Sequence, residues 1–290
     1  MFLDIGGQRL FFTATSFLES VTPRTPVILG LHGGPGIDGS QMRYFLQPAA
    51  HWAQVIVPDQ RGHGYSDHSA PESWNLKQWA QDTKEFIDRL GLTEVILVGT
   101  SFGGFVVQQF LADFPGTVRG AVVVGASPRK ASDDEIVERY REVGGDRAAE
   151  VMRRSLHDSS KEAEAEWAEV CAPLASVRPP DATLQSIRRS RVNTPEVNRV
   201  FVQFLPRMDL RTDLRHATDP ILVLVGENDP LTPPKFAAEI RAAASSADVW
   251  VEIVPGASHQ VLWDEPEATD RLLREFTERT TTGPPQPAAT

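Results

Sequence analysis

The sequence predicts an α/β fold in which a mostly parallel, doubly wound sheet carries an inserted helical segment. Short runs rich in Val, Ile and Leu alternate with stretches of helical periodicity along most of the 290 residues. This alternation stops once, after Pro128, for about 80 residues, which is too long for a connecting loop. Hydrophobic residues make up 41% of the chain and charged residues 23%, as in ordinary globular proteins.

Six runs are short and apolar enough to be buried strands of a parallel sheet. They are residues 26–34, 53–60, 94–101, 120–127, 220–229 and 249–256. Helical periodicity is found between them and after the last, in residues 76–91, 102–115, 234–246 and 267–279. Parallel strands need crossover connections, so strands that alternate with helices predict a doubly wound sheet.

The break in this alternation predicts the domain organisation. We expect residues 1–127 and 210–279 to form the α/β core and residues 128–209 to form a helical cap. Basic and acidic residues nearly balance within the cap, and its aromatic residues suit a surface that is polar outside and apolar towards a pocket. The Pro-rich end, residues 280–290, is predicted to be a mobile tail.

Composition excludes several classes of partner. The net charge is −10, and the only cluster of basic residues apart from acids is Arg188, Arg189 and Arg191, which argues against nucleic acid. The single cysteine, Cys171, cannot form an internal disulfide and has no Cys or His neighbours at metal-ligand spacing. We therefore expect a reducing compartment and no metal or cofactor.

The chain also gives no sign of a membrane. Asp4 stands where a signal peptide needs an apolar core, and no apolar run approaches the roughly 18 residues of a membrane helix. We expect a cytoplasmic protein that acts on a small molecule or a short peptide. The oligomeric state is left open by the sequence.

The residues Gly99-Thr100-Ser101-Phe102-Gly103 match the pattern G-x-S-x-G between a predicted strand and a predicted helix. In that setting the serine occupies a strained turn that only small neighbours allow, and its hydroxyl is lifted above the sheet edge. The pattern also arises by chance, and a glycine-rich turn can simply join a strand to a helix. The correct strand-turn-helix context favours Ser101 as a nucleophile.

A serine hydroxyl needs a base, and the base needs an orienting carboxylate. Among the seven histidines, His259 follows the last predicted strand and can return to the carboxyl edge of the sheet. Asp229 ends the strand before it, with Glu227 and Asp219 as competing acids that are more typical of loop or cap positions. Four other histidines fall in helical or loop settings and are interpreted as solvated or packing residues: His51, His68, His157 and His216.

A glycine-rich loop, His32-Gly33-Gly34-Pro35-Gly36, follows the first of these strands. We expect the backbone N–H groups of Gly34 and Phe102 to form an oxyanion hole, worth about 3 to 4 kcal/mol per donor in comparable enzymes. A plain turn is the alternative, but the loop falls where the nucleophile turn requires a donor. His32 itself is interpreted as stabilising the loop.

Five motifs together resemble the α/β-hydrolase superfamily. They are LHGGPG at 31–36, DQRGHGYS at 59–66, GTSFGG at 99–104, GENDP at 226–230 and GASH at 256–259. Within the superfamily, HGGPG followed by DQRGxGxS is most similar to the proline iminopeptidase group. That group usually has Gly-Gly-Ser-Trp-Gly at the nucleophile, whereas this chain has Thr100 and Phe102 beside Ser101.

The resemblance implies an α/β-hydrolase fold with a helical cap, and Ser101, Asp229 and His259 as a catalytic triad. In the proline iminopeptidase group, glutamates of the cap bind the free amino terminus of the substrate. The acidic stretch 161–170 offers Glu166 and Glu169, with Trp167 between them, as substrate-binding residues. An acidic run at helical spacing is more often a solvated face.

These observations predict a serine hydrolase that cleaves a small amide or ester through an acyl-enzyme, without a cofactor. A proline iminopeptidase-like aminopeptidase is the first hypothesis, and a carboxylesterase or lactonase of the same fold is the alternative. A ligand receptor with a slow triad is a third. Ser101 argues against haloalkane dehalogenases and most epoxide hydrolases, which need a carboxylate nucleophile at that turn. Neither fold nor triad identifies the bond that is cleaved.

Overall fold

In the computed structural model, which describes residues 1–15 and 25–281, eight strands form one sheet. The strands are β1 (Phe2–Asp4), β2 (Arg9–Ala14), β3 (Val27–Leu31), β4 (Gln54–Pro58), β5 (Val95–Thr100), β6 (Gly120–Val124), β7 (Ile221–Gly226) and β8 (Val249–Val254). Their order across the sheet is β1-β2-β4-β3-β5-β6-β7-β8. The pairs β1/β2 and β2/β4 are antiparallel, and the other pairs are parallel.

All six predicted strands are present, and two N-terminal strands were not predicted. Strand β1 has only three residues, and β2 follows it after a turn in which Asp4 accepts the N–H groups of Gly6 and Gly7. Strand β2 alternates buried Leu10 and Phe12 with more exposed neighbours. That period of two is the signature of a half-buried antiparallel strand, whereas the prediction relied on continuous apolar runs.

Ten α-helices are found in the described residues. They are α1 (Ser40–Phe45), α2 (Leu76–Leu90), α3 (Phe102–Asp113), α4 (Asp133–Ser155), α5 (Lys161–Val170), α6 (Ala182–Ser190), α7 (Pro195–Phe204), α8 (Lys235–Ala243), α9 (Val261–Asp264) and α10 (Pro266–Thr281). Helix α4 contains a kink at Gly145, whose φ of 77° and ψ of −177° interrupt the helical backbone. In the described part of the chain, no helix is both long and apolar enough to cross a membrane.

The sheet separates two apolar layers because alternate residues of each central strand point to opposite faces. In β5, Val95 and Leu97 belong to one layer, with residues of α2, α3 and α8, while Ile96 and Val98 belong to the other. The second layer packs against α1, α9 and α10. Continuous burial of β3 to β7 follows from this covering of both faces.

The order of the strands determines where the candidate site lies. From β3 the chain passes to β4 on one side, and it then crosses to β5 on the other side of β3. The loops that leave the carboxyl ends of β3 and β5 therefore diverge and leave a crevice, which is where open α/β sheets bind ligands. The predicted glycine-rich loop follows β3, and Ser101 follows β5.

The segment between β6 and β7 contains helices α4 to α7. Its two ends lie side by side, because Arg129 and Asp209 form an antiparallel bridge and the N–H of Leu210 donates to the carbonyl of Pro128 over 2.7 Å. The segment has an apolar cluster of its own that includes Tyr140 and Cys171. The division into an α/β core and a cap at 128–209 remains our proposal. The predicted mobile tail falls mostly on residues 282–290, outside the described residues.

Candidate active site

Ser101 occupies the sharp turn between β5 and α3. Its φ of 51° and ψ of −114° are unusual for a residue with a side chain, and its N–H is held by the carbonyl of Val124 at 2.8 Å. The turn is crowded: a Cβ on Gly99 would lie 2.2 Å from the carbonyl oxygen of Gly103, and one on Gly103 would lie 2.2 Å from that of Leu31. The two glycines of the G-x-S-x-G pattern are therefore required by space.

His259 comes from the loop after β8 and reaches the serine from a distance of 158 residues along the chain. Its Nε2 lies 3.1 Å from the Oγ of Ser101, and its Nδ1 lies 2.9 Å from the Oδ2 of Asp229. The structure thus brings the three predicted residues into one hydrogen-bonded chain. This is the geometry that nucleophilic catalysis by serine needs.

Asp229 is fully buried in the loop after β7, and it is held by more than the histidine. Its Oδ1 accepts the backbone N–H groups of Leu231 and Thr232 at 2.8 and 2.9 Å, and its Oδ2 accepts the Thr232 hydroxyl at 2.7 Å. Burial alone would raise the pKa of Asp229, but the charge of His259 and these hydrogen bonds outweigh it and lower the pKa. The carboxylate is therefore ionised at neutral pH.

The interaction between Asp229 and His259 shifts the pKa of the histidine in the opposite direction. Burial lowers the pKa of His259, but the charge and hydrogen bond of Asp229, with a smaller contribution from Asp264, outweigh burial and raise it. Asp264 lies near because its carboxylate accepts the N–H of Ser258 at 2.8 Å. The site therefore favours the imidazolium form, which is the form that exists after His259 has taken a proton from Ser101.

The two competing acids are placed elsewhere. Glu227 is exposed, and its carboxylate accepts the N–H of Gly256 at 3.0 Å. Asp219 precedes β7, at the edge of the sheet opposite to Ser101, and accepts the N–H groups of Gly116 and Val118. Both accept backbone N–H groups of neighbouring loops, which agrees with the loop or cap positions expected for them.

Thr232 was not identified from the sequence. Its hydroxyl lies 2.7 Å from Asp229 and 3.3 Å from the Nδ1 of His259, so it braces the contact between the two. The signal was present in the spacing: Asp followed three residues later by Thr is typical of a local turn in which the carboxylate accepts the N–H of the later residue.

The glycine-rich loop lies against the serine. Gly34 has a φ of 119°, and a Cβ on Gly33 would lie 3.4 Å from the Cβ of Ser101. Phe102 is the first residue of α3, where backbone N–H groups have no partner within the helix. The predicted oxyanion donors, Gly34 and Phe102, thus flank Ser101, and their role remains our proposal.

His32 fixes this loop to its neighbour. Its Nε2 accepts the N–H of Gln60 at 3.1 Å, and its Nδ1 lies 2.9 Å from the carbonyl oxygen of Gly33. Burial lowers the pKa of His32 and, more strongly, that of His63, whose ring lies 4.9 Å from the ring of His32. Both imidazoles are therefore neutral at neutral pH, and His32 stabilises the loop as expected.

The loop is also tied to the segment between α6 and α7. Ile37 and Asn193 form an antiparallel bridge, and the carboxylate of Asp38 accepts the N–H of Val192 at 2.7 Å. The N–H of Thr194 donates to the carbonyl of Gly36 at 2.8 Å. No sequence signal indicated this contact between residues more than 150 positions apart.

A cavity of about 250 Å³ opens beside Ser101 and His259. Most of its remaining wall is apolar, with a few polar groups that include Asp38, Gln41 and Gln260. The apolar side chains are Ile37, Met42, Phe45, Leu231 and Leu262. A mostly apolar cavity with a few convergent polar groups is typical of a small-molecule site.

The three substrate-binding residues predicted in the cap are not among the residues that line this cavity. Glu166 pairs with Arg147 and Arg154, whose side chains are largely exposed. Glu169 is exposed, and Trp167 packs against the apolar cluster of the α4–α5 region. Binding of substrate by Glu166, Glu169 and Trp167 stays a prediction.

Comparison with known proteins identifies the class. The model of the α/β hydrolase fold family matches residues 26–266, and the chain belongs to that family. Proline iminopeptidase PfmaB of Pestalotiopsis fici is 24% identical over 96% of this chain and 99% of its own length. Epoxide hydrolase 3 of Xenopus tropicalis is also 24% identical, over 90% of this chain and 73% of its own length.

A solved structure agrees in fold. The proline iminopeptidase of Mycobacterium smegmatis superimposes with a TM-score of 0.77 over 97% of this chain and 98% of its own, at 19% sequence identity. The protein is therefore an α/β hydrolase near the proline iminopeptidase group, as the resemblance implied.

Proposed function

We propose that this protein is a serine hydrolase that cleaves a small ester, lactone or amide through an acyl-enzyme on Ser101. The observation that carries the proposal is the hydrogen-bonded chain from Ser101 through His259 to Asp229, at 3.1 and 2.9 Å, at the wall of a 250 Å³ cavity. A serine in a strained turn, between two glycines that have no room for a side chain, is typical of a catalytic nucleophile.

In the first half of the reaction, the Oγ of Ser101 attacks the acyl carbon while its proton passes to the Nε2 of His259. Asp229 stabilises the imidazolium that forms. The negative oxygen of the tetrahedral intermediate accepts hydrogen bonds from the N–H groups of Gly34 and Phe102. The intermediate collapses when His259 gives its proton to the leaving alcohol or amine, and the acyl group stays on Ser101.

In the second half, a water molecule attacks the acyl-enzyme, and His259 takes a proton from this water. A second tetrahedral intermediate forms in the same oxyanion hole. Its collapse returns the proton from His259 to the Oγ of Ser101 and releases the carboxylic acid. In each half His259 accepts one proton and donates one, so a single histidine carries out all four proton transfers.

An aminopeptidase of the proline iminopeptidase type is the second candidate. Its support is the likeness to proline iminopeptidase PfmaB over nearly the whole of both chains. That activity needs an acidic partner for the substrate amine, and neither Glu166 nor Glu169 lines the cavity beside Ser101. We therefore place the ester or lactone reading first. Ser101 also argues against epoxide hydrolysis, despite the likeness to epoxide hydrolase 3.

The test combines covalent labelling of the serine with measurement of substrate turnover. A fluorophosphonate should add once to the protein, and mass spectrometry should find the adduct on the peptide that contains Ser101. Chromogenic acyl esters, lactones and aminoacyl arylamides, the prolyl one included, should then be compared for wild type and Ser101→Ala. Activity that survives in Ser101→Ala contradicts the proposal. A single burst of product without further turnover would indicate a ligand receptor.

A further inference from the structure

A positive charge without a counter-ion lies near the wall of the cavity. Arg188, in α6, is half-buried, and in residues 1–15 and 25–281 no carboxylate oxygen lies within 4.0 Å of its guanidinium. Among the described residues, its guanidinium makes one hydrogen bond, from Nη2 to the Oε1 of Gln260 at 2.9 Å. A guanidinium carries five N–H groups, so most of its donor capacity is unused by the described residues.

Two other arginines with little exposure are paired with carboxylates. Arg119 forms a two-point ion pair with Glu94, and Arg61 forms one with Asp82. The protein has an excess of acidic residues, with a net charge of −10, so carboxylates are not scarce. Arg188 differs from these two arginines in having no carboxylate partner among the described residues.

The surroundings of Arg188 add positive charge instead of cancelling it. Burial, followed by the charge of Arg191, lowers the pKa of its guanidinium, although an arginine stays protonated at neutral pH. Partial burial removes water from a charge and therefore costs free energy, and a second cation nearby raises this cost further. An anion that binds here would relieve both effects.

Gln260 connects this charge to the chemistry. It follows His259 directly in the chain and lines the cavity together with Ser101. Its N–H is fixed by the carbonyl of Ala175 at 3.1 Å, so the backbone of Gln260 is held in place while its side chain faces Arg188. Arg188 itself is not among the residues that line the cavity, and its guanidinium is connected to the cavity wall through Gln260.

We propose that Arg188 binds a carboxylate of the substrate, so that the molecules cleaved at Ser101 are acidic acyl compounds such as dicarboxylic acid monoesters. Guanidinium and carboxylate match in a two-point hydrogen-bonded pair, which gives orientation as well as affinity. This inference rests on the proposed serine hydrolase, and it adds the class of substrate. It gives a reason for leaving a half-buried arginine unpaired.

Asp38 also lines the cavity and would repel an anion that came close to it. Its Oδ1 accepts the N–H of Ser40 at 3.0 Å as well as the Ser40 hydroxyl, and its Oδ2 accepts the N–H of Val192. These bonds direct its charge towards the loop. The substrate carboxylate should therefore bind on the Gln260 side of the cavity.

The competing explanation is structural: the bond from Arg188 to Gln260 could serve only to hold α6 against the loop of His259. The two explanations differ in one measurable respect. A structural contact affects all substrates alike, whereas recognition of a carboxylate affects only substrates that carry one.

The experiment compares pairs of esters of similar size. In the first pair, p-nitrophenyl hydrogen glutarate carries a carboxylate on the acyl side, and p-nitrophenyl valerate does not. In the second pair, 4-acetoxybenzoate carries it on the leaving group, and its methyl ester does not. The values of kcat/KM should be measured for wild type, Arg188→Met, Arg188→Lys and Arg189→Met. Arg189 is exposed and adjacent on the same helix, which makes its variant the matched control.

We expect wild type to prefer the acidic member of at least one pair by roughly 10- to 100-fold, the range for hydrogen bonds to charged groups. Arg188→Met should abolish this preference through KM, Arg188→Lys should retain part of it, and Arg189→Met should keep all of it. The pair that shows the effect identifies the side of the substrate that carries the charge.

Three results would overturn the inference: no preference in wild type for either pair, an equal loss on acidic and neutral esters in Arg188→Met, or the same loss in Arg189→Met. If Arg188→Met does not fold, inhibition of wild type decides, since glutarate should compete with the neutral ester more strongly than glutaramide. Residual activity of Ser101→Ala on both esters would contradict the proposed function instead. Loss of that activity with an unchanged preference in Arg188→Met would contradict only the role of Arg188.

Discussion

Replacing Asp229 by Asn removes one charge from the hydrogen-bonded chain and leaves a side chain of nearly the same shape. The Oδ2 of Asp229 lies 2.9 Å from the Nδ1 of His259. Two unit charges at that distance attract by about 6 kcal/mol at an effective dielectric constant of about 20. This attraction is present only when His259 is protonated, so its loss falls on the transition state.

A loss of that size corresponds to a decrease in kcat of roughly 10⁴-fold, which is also the effect of the equivalent change in a serine protease triad. The pH profile should change in a defined direction. Asp229 raises the pKa of His259 against the effect of burial, so its removal lowers that pKa. Because the base must be neutral to accept the proton of Ser101, the acid limb of kcat/KM should move to lower pH.

The assay is hydrolysis of a p-nitrophenyl ester by wild type, Asp229→Asn and the control Glu227→Gln. Glu227 lies in the same loop and is exposed, and among the described residues its carboxylate accepts only the N–H of Gly256, so its variant should lose less than about tenfold. The reasoning is refuted if Glu227→Gln is as damaging as Asp229→Asn, if Asp229→Asn loses little activity, or if its acid limb moves to higher pH.

Three further predictions follow from the described contacts. Ser101→Ala and His259→Ala should lower kcat by similar factors and the double variant should be little worse, because the residues act as a unit; steady-state kinetics showing multiplied losses would contradict this. Gly103→Ala places a Cβ 2.2 Å from a backbone carbonyl oxygen, so urea denaturation should show a loss of at least about 1 to 3 kcal/mol, and unchanged stability would count against the crowded turn. The hydrogen bonds from Arg129 hold the pKa of Glu135 well below its ordinary value, so the stability from this pair is present at neutral pH and is lost as pH falls below about 4. The unfolding free energy of Glu135→Gln should accordingly depend less on pH in that range than that of wild type.

Much of the site could be predicted because its parts are local. The G-x-S-x-G pattern needs only two short-range facts, a buried strand before it and a helix after it, and both are visible as runs of residue types. The order of the strands brings the other two residues to the same edge of the sheet. Asp229 and His259 follow two neighbouring parallel strands, and the carboxyl ends of parallel strands meet at one edge. This is why two residues 128 and 158 positions from Ser101 could be identified from pattern alone.

Other features depend on side chains that are distant in the chain and meet only in the folded protein. Nothing in the acidic stretch around Glu166 shows that Arg147 and Arg154 would lie beside it. Strand β2 escaped prediction because its partner β4 lies some forty residues away and buries only one of its faces. The pairing of a charge and the burial of one face of a strand depend on residues that are distant in the chain. Local sequence does not show which residues these are.

The sequence by itself determined the fold class, the strained serine and the order Ser101, Asp229, His259 of the proposed triad, since each rests on backbone preferences and apolar periodicity within a few residues. Only the tertiary structure showed that Thr232 braces Asp229 and His259, that Glu166 pairs with arginines, and that Arg188 contacts Gln260 with no carboxylate partner among the described residues. The physical reason is the range of the interactions. Steric limits on the backbone act between adjacent residues, whereas pairing and burial of charges depend on distances that exist only after the chain has folded.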